Sequence, residues 1–362
     1  MKILKYVLVL SLVLTLTACA GNAADKKAET TGQTDMKKDA VAEQSNKEQP
    51  KEEKMETKAD KQEMTPEKLI IVLDWVPNTN HTGLFVAKDK GYFAEEGLEV
   101  EIVQPADDSS SAIVGAGKAE LGIYFQPNMV KRLLKGTPIT AVAAILQHNT
   151  GGIMSLKESG ITSPKEMTGK KHSTWEDPID DATVKYVVDK DGGDASTLEW
   201  IPGESTDATT ALKLKLFDTI FVYQGWDYIH SQVKQVETNF FLLKDYAPEF
   251  DYYTPVLIAN NDFLANKPEV TKRALRAIKK GYEFAADNAK EAAEILIKNA
   301  PEGDAELIRA SQEFLSTQYI ADAKSWGVID RERWNRFFQW LYDQKLIEQP
   351  LVDQGFSNDY LE

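Results

Sequence analysis

Cysteine and histidine are scarce in this 362-residue chain, which contains one cysteine and four histidines. A single cysteine excludes an internal disulfide. No HExxH or CxxC motif occurs and the histidines are not at metal-ligand spacing, so we expect no metal site and no cofactor. Basic residues are also in deficit, because 42 Lys and Arg against 57 Asp and Glu leave a net charge of -15. Without a basic stripe to meet phosphates, nucleic acid is excluded as a partner.

The apolar run near the amino terminus, from Tyr6 to Leu16, is too short for a comfortable membrane span. It follows two lysines and ends in LTAC, whose last residue is Cys19. This ending resembles a bacterial lipobox, which implies cleavage before Cys19 and lipidation of that residue. We therefore expect residues 1–19 to be a lipoprotein signal peptide. The alternative is an ordinary secretory signal with a stray cysteine.

Large apolar residues are almost absent from residues 20–67, and aromatic residues are missing there. Lys, Glu, Asp, Gln and Thr dominate this segment. Such a composition cannot bury enough surface to offset the entropy of ordering the chain. The segment is therefore predicted to be a disordered tether between the lipid and a folded body.

Short apolar stretches alternate with helical stretches from residue 68 onward, which predicts an α/β fold. The predicted strands are 69–73, 98–103, 120–125, 140–146, 197–202, 218–223 and 237–243, with a crossing back at 253–259. Apolar residues spaced by three and four across 270–297 predict one long amphipathic helix or two.

Two units follow from this pattern. Residues 68–157 are predicted to begin a first lobe, 158–252 to form a second lobe, and 253–362 to return to the first lobe and add carboxyl-terminal helices. Ligands on open α/β sheets bind beyond the carboxyl ends of strands. Four aromatic or amide-rich turns fit that description, at 74–81, 125–128, 175–177 and 224–227.

The stretch LDWVPNTNHTGLFVAKDKGYFAEEGLEVEIVQP, residues 73–105, resembles the pyrimidine-precursor binding proteins of bacterial ABC importers, which belong to the NMT1/THI5-like family. The similarity continues through AELGIYFQP and DTIFVYQGWDYI. It implies a type II periplasmic-binding-protein fold, in which two lobes close around a small ligand and present it to a permease. Eukaryotic enzymes of the same family carry a cysteine-rich motif, and the predicted folded part of this chain has no cysteine.

The candidate ligand-binding residues lie in or beside the four turns: Asp74, Trp75, Asn78, His81, Tyr124, Gln126, Trp175, Glu176, Tyr223, Trp226 and Asp227. Indole faces can stack on a flat heterocycle, and amide or carboxylate groups can pair with an aminopyrimidine edge. Several have structural alternatives. Trp75 is alternatively a core residue, Asn78 a turn residue and Asp74 a cap, while Tyr124 or Gln126 is alternatively buried in the sheet.

The sequence thus predicts a lipid-anchored, monomeric binding protein on the extracytoplasmic face of a membrane, in a Gram-positive cell. Its expected partners are a small pyrimidine and an ABC permease with its ATPase. One alternative is a binder of riboflavin, an aliphatic sulfonate or nitrate, although the turns are short of the Arg and Lys that an anion requires. A less favoured alternative is an enzyme that makes the pyrimidine.

Overall fold

The computed structural model describes residues 66–105, 109–203 and 207–362, and all of them belong to one compact unit. The predicted signal peptide, Cys19 and most of the predicted tether lie outside the described residues. Within the described residues, no helix combines the length and the apolar character that a membrane span requires.

The first sheet has five strands in the order β2-β1-β3-β10-β4. Strand β1 pairs in parallel with β2 and β3, whereas β10 is antiparallel to both β3 and β4. Its strands are β1 (Glu67–Val72), β2 (Leu98–Val103), β3 (Leu121–Tyr124), β4 (Ile139–Ala144) and β10 (Val256–Asn260). Most residues of β3, β4 and β10 are buried, as expected of strands covered on both faces.

The second sheet also has five strands, in the order β7-β6-β8-β5-β9. Strand β6 is parallel to β7 and β8, and β5 is antiparallel to β8 and β9. Its strands are β5 (Gly151–Leu156), β6 (Lys171–Thr174), β7 (Glu199–Pro202), β8 (Thr219–Tyr223) and β9 (Thr238–Leu242). The chain passes between the two sheets twice, after β4 and again between β9 and β10.

Helices cover both sheets, and several begin where an acidic side chain caps the first turn. Asp177, Asp304 and Asp330 accept hydrogen bonds from the backbone at the starts of α5, α11 and α12, and Pro178 occupies the first turn of α5. The helices are α1 (Thr82–Asp89), α2 (Tyr92–Glu95), α3 (Ser110–Gly115), α4 (Gln126–Leu134), α5 (Pro178–Lys190), α6 (Ala208–Lys213), α7 (Ile229–Val233), α8 (Asn261–Asn266), α9 (Pro268–Asp287), α10 (Ala289–Asn299), α11 (Ala305–Ser316) and α12 (Arg331–Asp343).

Strands β5 and β6 are not among the strands predicted from the sequence. Strand β5 pairs with β8 and β9, so the second sheet begins at Gly151, ahead of the lobe boundary expected after residue 157. The predicted amphipathic stretch 270–297 forms two helices, α9 and α10, which is one of the two predicted alternatives, and they meet at Asn288, whose φ is -129° and ψ is 51°.

Helix α12 packs against residues from the segments that flank both sheets. Its Trp334 is fully buried and lies 6.5 Å from Tyr253, which precedes β10. Its Trp340 lies 4.8 Å from Phe250 and 5.4 Å from Tyr186 of α5, as measured between ring centroids. The carboxyl-terminal helices therefore join the two sheets into one body and leave a cleft between the sheet edges.

Candidate functional site

A cavity of about 280 Å³ lies between the two lobes, at the edge where β1, β3 and β8 end. Both lobes, both crossovers and α11 contribute to its wall. The lining residues are Asp74, Trp75, Asn78, Thr79, Asn80, Phe125, Leu146, Thr150, Tyr223, Gly225, Trp226, Asp227, Thr254, Pro255 and Leu315. This position beyond the carboxyl ends of strands is where open α/β sheets bind ligands.

The loop after β1 is held in shape by its own side chains. The Asn78 side chain accepts a hydrogen bond from the Asn80 N–H (2.9 Å), and the Asn78 N–H donates to Nδ1 of His81 (3.2 Å). Because Nδ1 of His81 accepts, its Nε2 carries the proton and donates to Asp74 Oδ1, 2.5 Å away. His81 is fully buried behind Asp74 and does not line the cavity, so it orients the Asp74 carboxylate.

Two tyrosines fix the same loop from behind. The hydroxyl of Tyr282 donates to the Asn80 carbonyl, and that of Tyr319 donates to the Thr79 carbonyl, each at 2.7 Å. Gly83 allows the close approach, because a Cβ there would lie 2.3 Å from the Tyr282 ring. These protein contacts therefore position the polar groups of the loop.

The wall from the second lobe is a single π-helical turn, Gln224–Tyr228, which follows β8 directly. Its Gln224 N–H donates to the Thr150 carbonyl (2.9 Å), which ties the turn to the first crossover. Trp226 and Asp227 of this turn face the cavity. Burial raises the pKa of the Asp227 carboxyl to about 6.

A second cavity of about 250 Å³ adjoins the first and shares Phe125, Tyr223 and Asp227 with it. Trp175 and Asp180 line the second cavity but not the first. Burial raises the pKa of the Asp180 carboxyl to about 7, and the nearby carboxylates of Asp177 and Asp181 add to the effect. Tyr223 is 37% exposed within the cleft, yet burial by the surrounding protein raises the pKa of its phenol.

Seven of the predicted site residues line one of these cavities: Asp74, Trp75, Asn78, Tyr223, Trp226 and Asp227 in the first, and Trp175 in the second. Four others do not. His81 lies behind Asp74, Tyr124 is buried in the core, and Glu176 is exposed with φ 58°. Gln126 is fully buried, where its amide donates to the Trp334 carbonyl (2.9 Å) and accepts from the Tyr253 N–H (2.8 Å).

Other lining residues were not candidates from the sequence. Phe125 lies in a predicted turn, but Thr254, Leu315 and Asp180 carried no sequence signal for a site. The Thr254 hydroxyl lies beside the Tyr223 phenol, yet it is buried without a hydrogen-bond partner of good geometry. An unpaired buried hydroxyl in a cavity wall leaves a polar group available to a ligand.

Negative charge dominates both cavities. No Lys, Arg or His is among the described residues that line either one, whereas Asp74, Asp180 and Asp227 are. Lys131 lies nearby, but its ammonium is 2.6 Å from Asp177 in an ion pair between the lobes. Across 66–105, 109–203 and 207–362, no group of three or more His, Cys, Asp or Glu could hold a metal ion.

A family model described as NMT1/THI5 like matches residues 78–292. The formylaminopyrimidine-binding protein of Halalkalibacterium halodurans is 28% identical over 299 residues, covering 81% of this chain and 90% of that protein. The 4-amino-5-hydroxymethyl-2-methylpyrimidine phosphate synthase THI13 of Saccharomyces cerevisiae is 27% identical over 244 residues, covering 61% of this chain and 68% of the enzyme.

Solved structures of binding proteins share the fold. The alkanesulfonate-binding protein SsuA from Xanthomonas axonopodis pv. citri superimposes with a TM-score of 0.62 at 10% identity, covering 81% of this chain and 98% of SsuA. The nitrate-binding protein NrtA from Synechocystis PCC 6803 gives a TM-score of 0.62 at 14% identity, covering 82% and 87%. These similarities confirm the predicted periplasmic-binding-protein fold.

Proposed function

Because the chain belongs to the NMT1/THI5-like family, we propose that it is the extracytoplasmic solute-binding protein of an ABC importer. Its ligand is a thiamine pyrimidine precursor of the hydroxymethylpyrimidine or formylaminopyrimidine type. The formylaminopyrimidine-binding protein of Halalkalibacterium halodurans, which aligns over 81% of this chain, supports this ligand class.

One observation carries the proposal: the two lobes place Trp75 and Trp226 in the wall of one cavity. Indole faces stack well on flat heteroaromatic rings, and each such contact contributes about 0.5–1.5 kcal/mol beyond the area that it buries. Since the two indoles belong to different lobes, a ring that touches both favours the closed arrangement over the open one.

The polar groups in the same wall suit an aminopyrimidine. The carboxylates of Asp74 and Asp227 accept hydrogen bonds from amino groups, and the unpaired hydroxyl of Thr254 can donate to a ring nitrogen. Sulfonate or nitrate would instead require cationic partners, and the described lining residues supply none.

The delivery steps complete the proposal. Lipidation of Cys19 and the 20–67 tether would keep the monomeric protein at the extracytoplasmic face of the membrane, within reach of its permease and ATPase. The alternative is a pyrimidine synthase, as the Saccharomyces cerevisiae relative is named. The cysteine-rich motif of the eukaryotic enzymes is missing from residues 20–362, which favours binding over synthesis.

A thermal-shift panel tests the ligand. Hydroxymethylpyrimidine, formylaminopyrimidine, riboflavin, taurine and nitrate are each compared with no ligand. A pyrimidine at a hundredfold its dissociation constant should add about 2.7 kcal/mol of stability. If taurine, nitrate or riboflavin raises the melting temperature while neither pyrimidine does, the proposal is wrong.

The double variant Trp75→Ala, Trp226→Ala tests the site in the same assay. Losing both stacking contacts should reduce the ligand-induced stabilisation by roughly 1 kcal/mol or more. Tyr342→Ala is the matched control, because Tyr342 is an exposed aromatic residue of α12 that lines neither cavity. Unchanged affinity in the double variant would place the ligand elsewhere.

A further inference from the structure

The two adjoining cavities have room for more than one ring. They measure about 280 and 250 Å³ and share a wall formed by Phe125, Tyr223 and Asp227. Small-molecule sites usually have about 300–1,000 Å³, so each cavity alone is below this range and the two joined are within it. This continuity indicates a ligand with two parts, of which the second extends past Asp227.

Asp180 lines only the second cavity, whereas the other carboxylate of that wall, Asp227, also lines the first. Asp177 accepts from the Ile179 N–H and pairs with Lys131, and Asp181 accepts from the Thr174 hydroxyl at 2.5 Å. Among the described residues, no side chain donates a hydrogen bond to the Asp180 carboxylate, which faces the cavity.

The rest of that wall suits a cation. Trp175, Tyr252 and Phe125 present aromatic groups to the cavity, and aromatic faces attract ammonium groups. The Lys131 ammonium, a cation that acts on Asp180, is already paired with Asp177. Asp180 would therefore attract a positive group on the ligand, and the described wall contains no unpaired cation that would repel it.

We propose that the second cavity is a subsite for a cationic group, so that the preferred ligand is a pyrimidine joined to an amine that pairs with Asp180. This inference depends on the proposed function, since the pyrimidine ring occupies the first cavity. It extends the proposed ligand class, because the hydroxymethyl and formylamino types have neutral arms and should bind more weakly than a thiamine pyrimidine precursor whose arm is a free amine.

The pH dependence of binding follows from the same geometry. Burial raises the pKa of Asp180 to about 7, with contributions from Asp177 and Asp181 that Lys131 opposes. Tyr223 and Asp227 are the titratable groups that line the same cavity from β8 and the turn after it. A cationic arm binds the ionised carboxylate, so below that pKa a proton must leave before the pair forms. Affinity for the cationic ligand should therefore fall as the pH is lowered from 8 to 6, by up to about tenfold per pH unit.

Calorimetric titration of the whole exported protein tests the subsite with two probes that differ only in the arm. They are 4-amino-5-aminomethyl-2-methylpyrimidine, which is cationic, and its neutral 5-hydroxymethyl analogue. At pH 7.5 the aminomethyl compound should bind about 10- to 100-fold more tightly, the range of a charge-assisted hydrogen bond. The Asp180→Asn variant should lose this preference and its pH dependence, while its affinity for the hydroxymethyl compound stays within about threefold.

Asp181→Asn is the matched control, since Asp181 is next in the chain but is hydrogen-bonded to Thr174 and does not line the cavity. It should keep the preference for the amine. Equal affinity of the wild-type protein for both probes would overturn the subsite, and so would an equal loss for both probes in Asp180→Asn. If neither probe binds the wild-type protein while another solute does, the proposed function itself fails.

Discussion

His81 and His172 are both buried, but they have different neighbours. His81 accepts from the Asn78 N–H at Nδ1 and contacts Asp74 through Nε2, so it supports the loop after β1. His172 of β6 is 1% exposed, contacts the Thr219 hydroxyl at 2.9 Å and lies edge-on to Trp200. Burial lowers the pKa of His172 to about 3, so this ring stays neutral in the folded protein across the physiological pH range.

The neutral His172 should make the fold sensitive to acid. Above pH 6.5 the ring is neutral in both folded and unfolded protein and has no effect. Below pH 6.5 only the unfolded chain takes up the proton, so folding stability falls until the folded pKa of about 3 is reached.

His172→Gln removes this titration and keeps a group that can bond Thr219. Between pH 7.5 and 5, its unfolding free energy in urea should therefore fall by about 2 kcal/mol less than that of the wild-type protein. Equal losses would show that His172 is protonated in the fold.

At the scale of elements, α11 joins the two walls of the first cavity. The Ser311 hydroxyl, which is fully buried, lies 2.6 Å from the Thr79 hydroxyl and donates to the Gly225 carbonyl. Leu315, one turn further along α11, lines the cavity beside Gly225. The helix thus connects the loop after β1 with the turn after β8.

Ser311→Ala should loosen both walls. The substitution leaves the Gly225 carbonyl without its buried donor and takes the Ser311 contact away from Thr79, at a cost of about 1–3 kcal/mol in unfolding free energy. Ligand affinity should fall with it, because the two loops then lose their common support. Ser316→Ala is the control from the same helix, since its exposed hydroxyl bonds only the Glu313 carbonyl of α11. If the two variants unfold at the same denaturant concentration, Ser311 does not connect the walls.

The sequence could predict the parts of the site that follow strands. Trp75 and Trp226 come directly after buried apolar runs, and the rule for strand ends places them at one edge. Leu315 comes from a distant helix, and its sequence pattern shows only an amphipathic face. Strand β5 was missed because it begins with two glycines, which usually mark turns. In the fold, a Cβ on Gly152 would lie 2.3 Å from the Phe241 carbonyl oxygen, so close strand pairing requires glycine there.

At the scale of the whole molecule, the two crossovers meet at a cluster of charges. The Asp251 carboxylate accepts from the Asn149 N–H (3.0 Å) and lies 2.7 Å from Nδ1 of His148 and 3.6 Å from Nε of Arg333. The hydrogen bond with Asp251 raises the pKa of His148. Among the described residues, the chain passes between the lobes only at these crossovers, so the cluster lies where a hinge rotation would act.

Asp251→Asn should therefore widen the range of open arrangements. Without the carboxylate, the two crossovers lose their charged link, and hydrogen bonds to charged groups contribute about 1.5–3 kcal/mol each. Small-angle scattering should give a larger radius of gyration for the ligand-free variant than for the ligand-free wild-type protein. With ligand at saturation the radii of the variant and the wild-type protein should coincide, since contacts from both lobes then hold the closed form.

Asp322→Asn is the control, because this largely exposed carboxylate touches His148 at 2.9 Å but neither the Asn149 backbone nor Arg333. An unchanged radius in ligand-free Asp251→Asn would mean that packing of α12, rather than the cluster, limits the hinge.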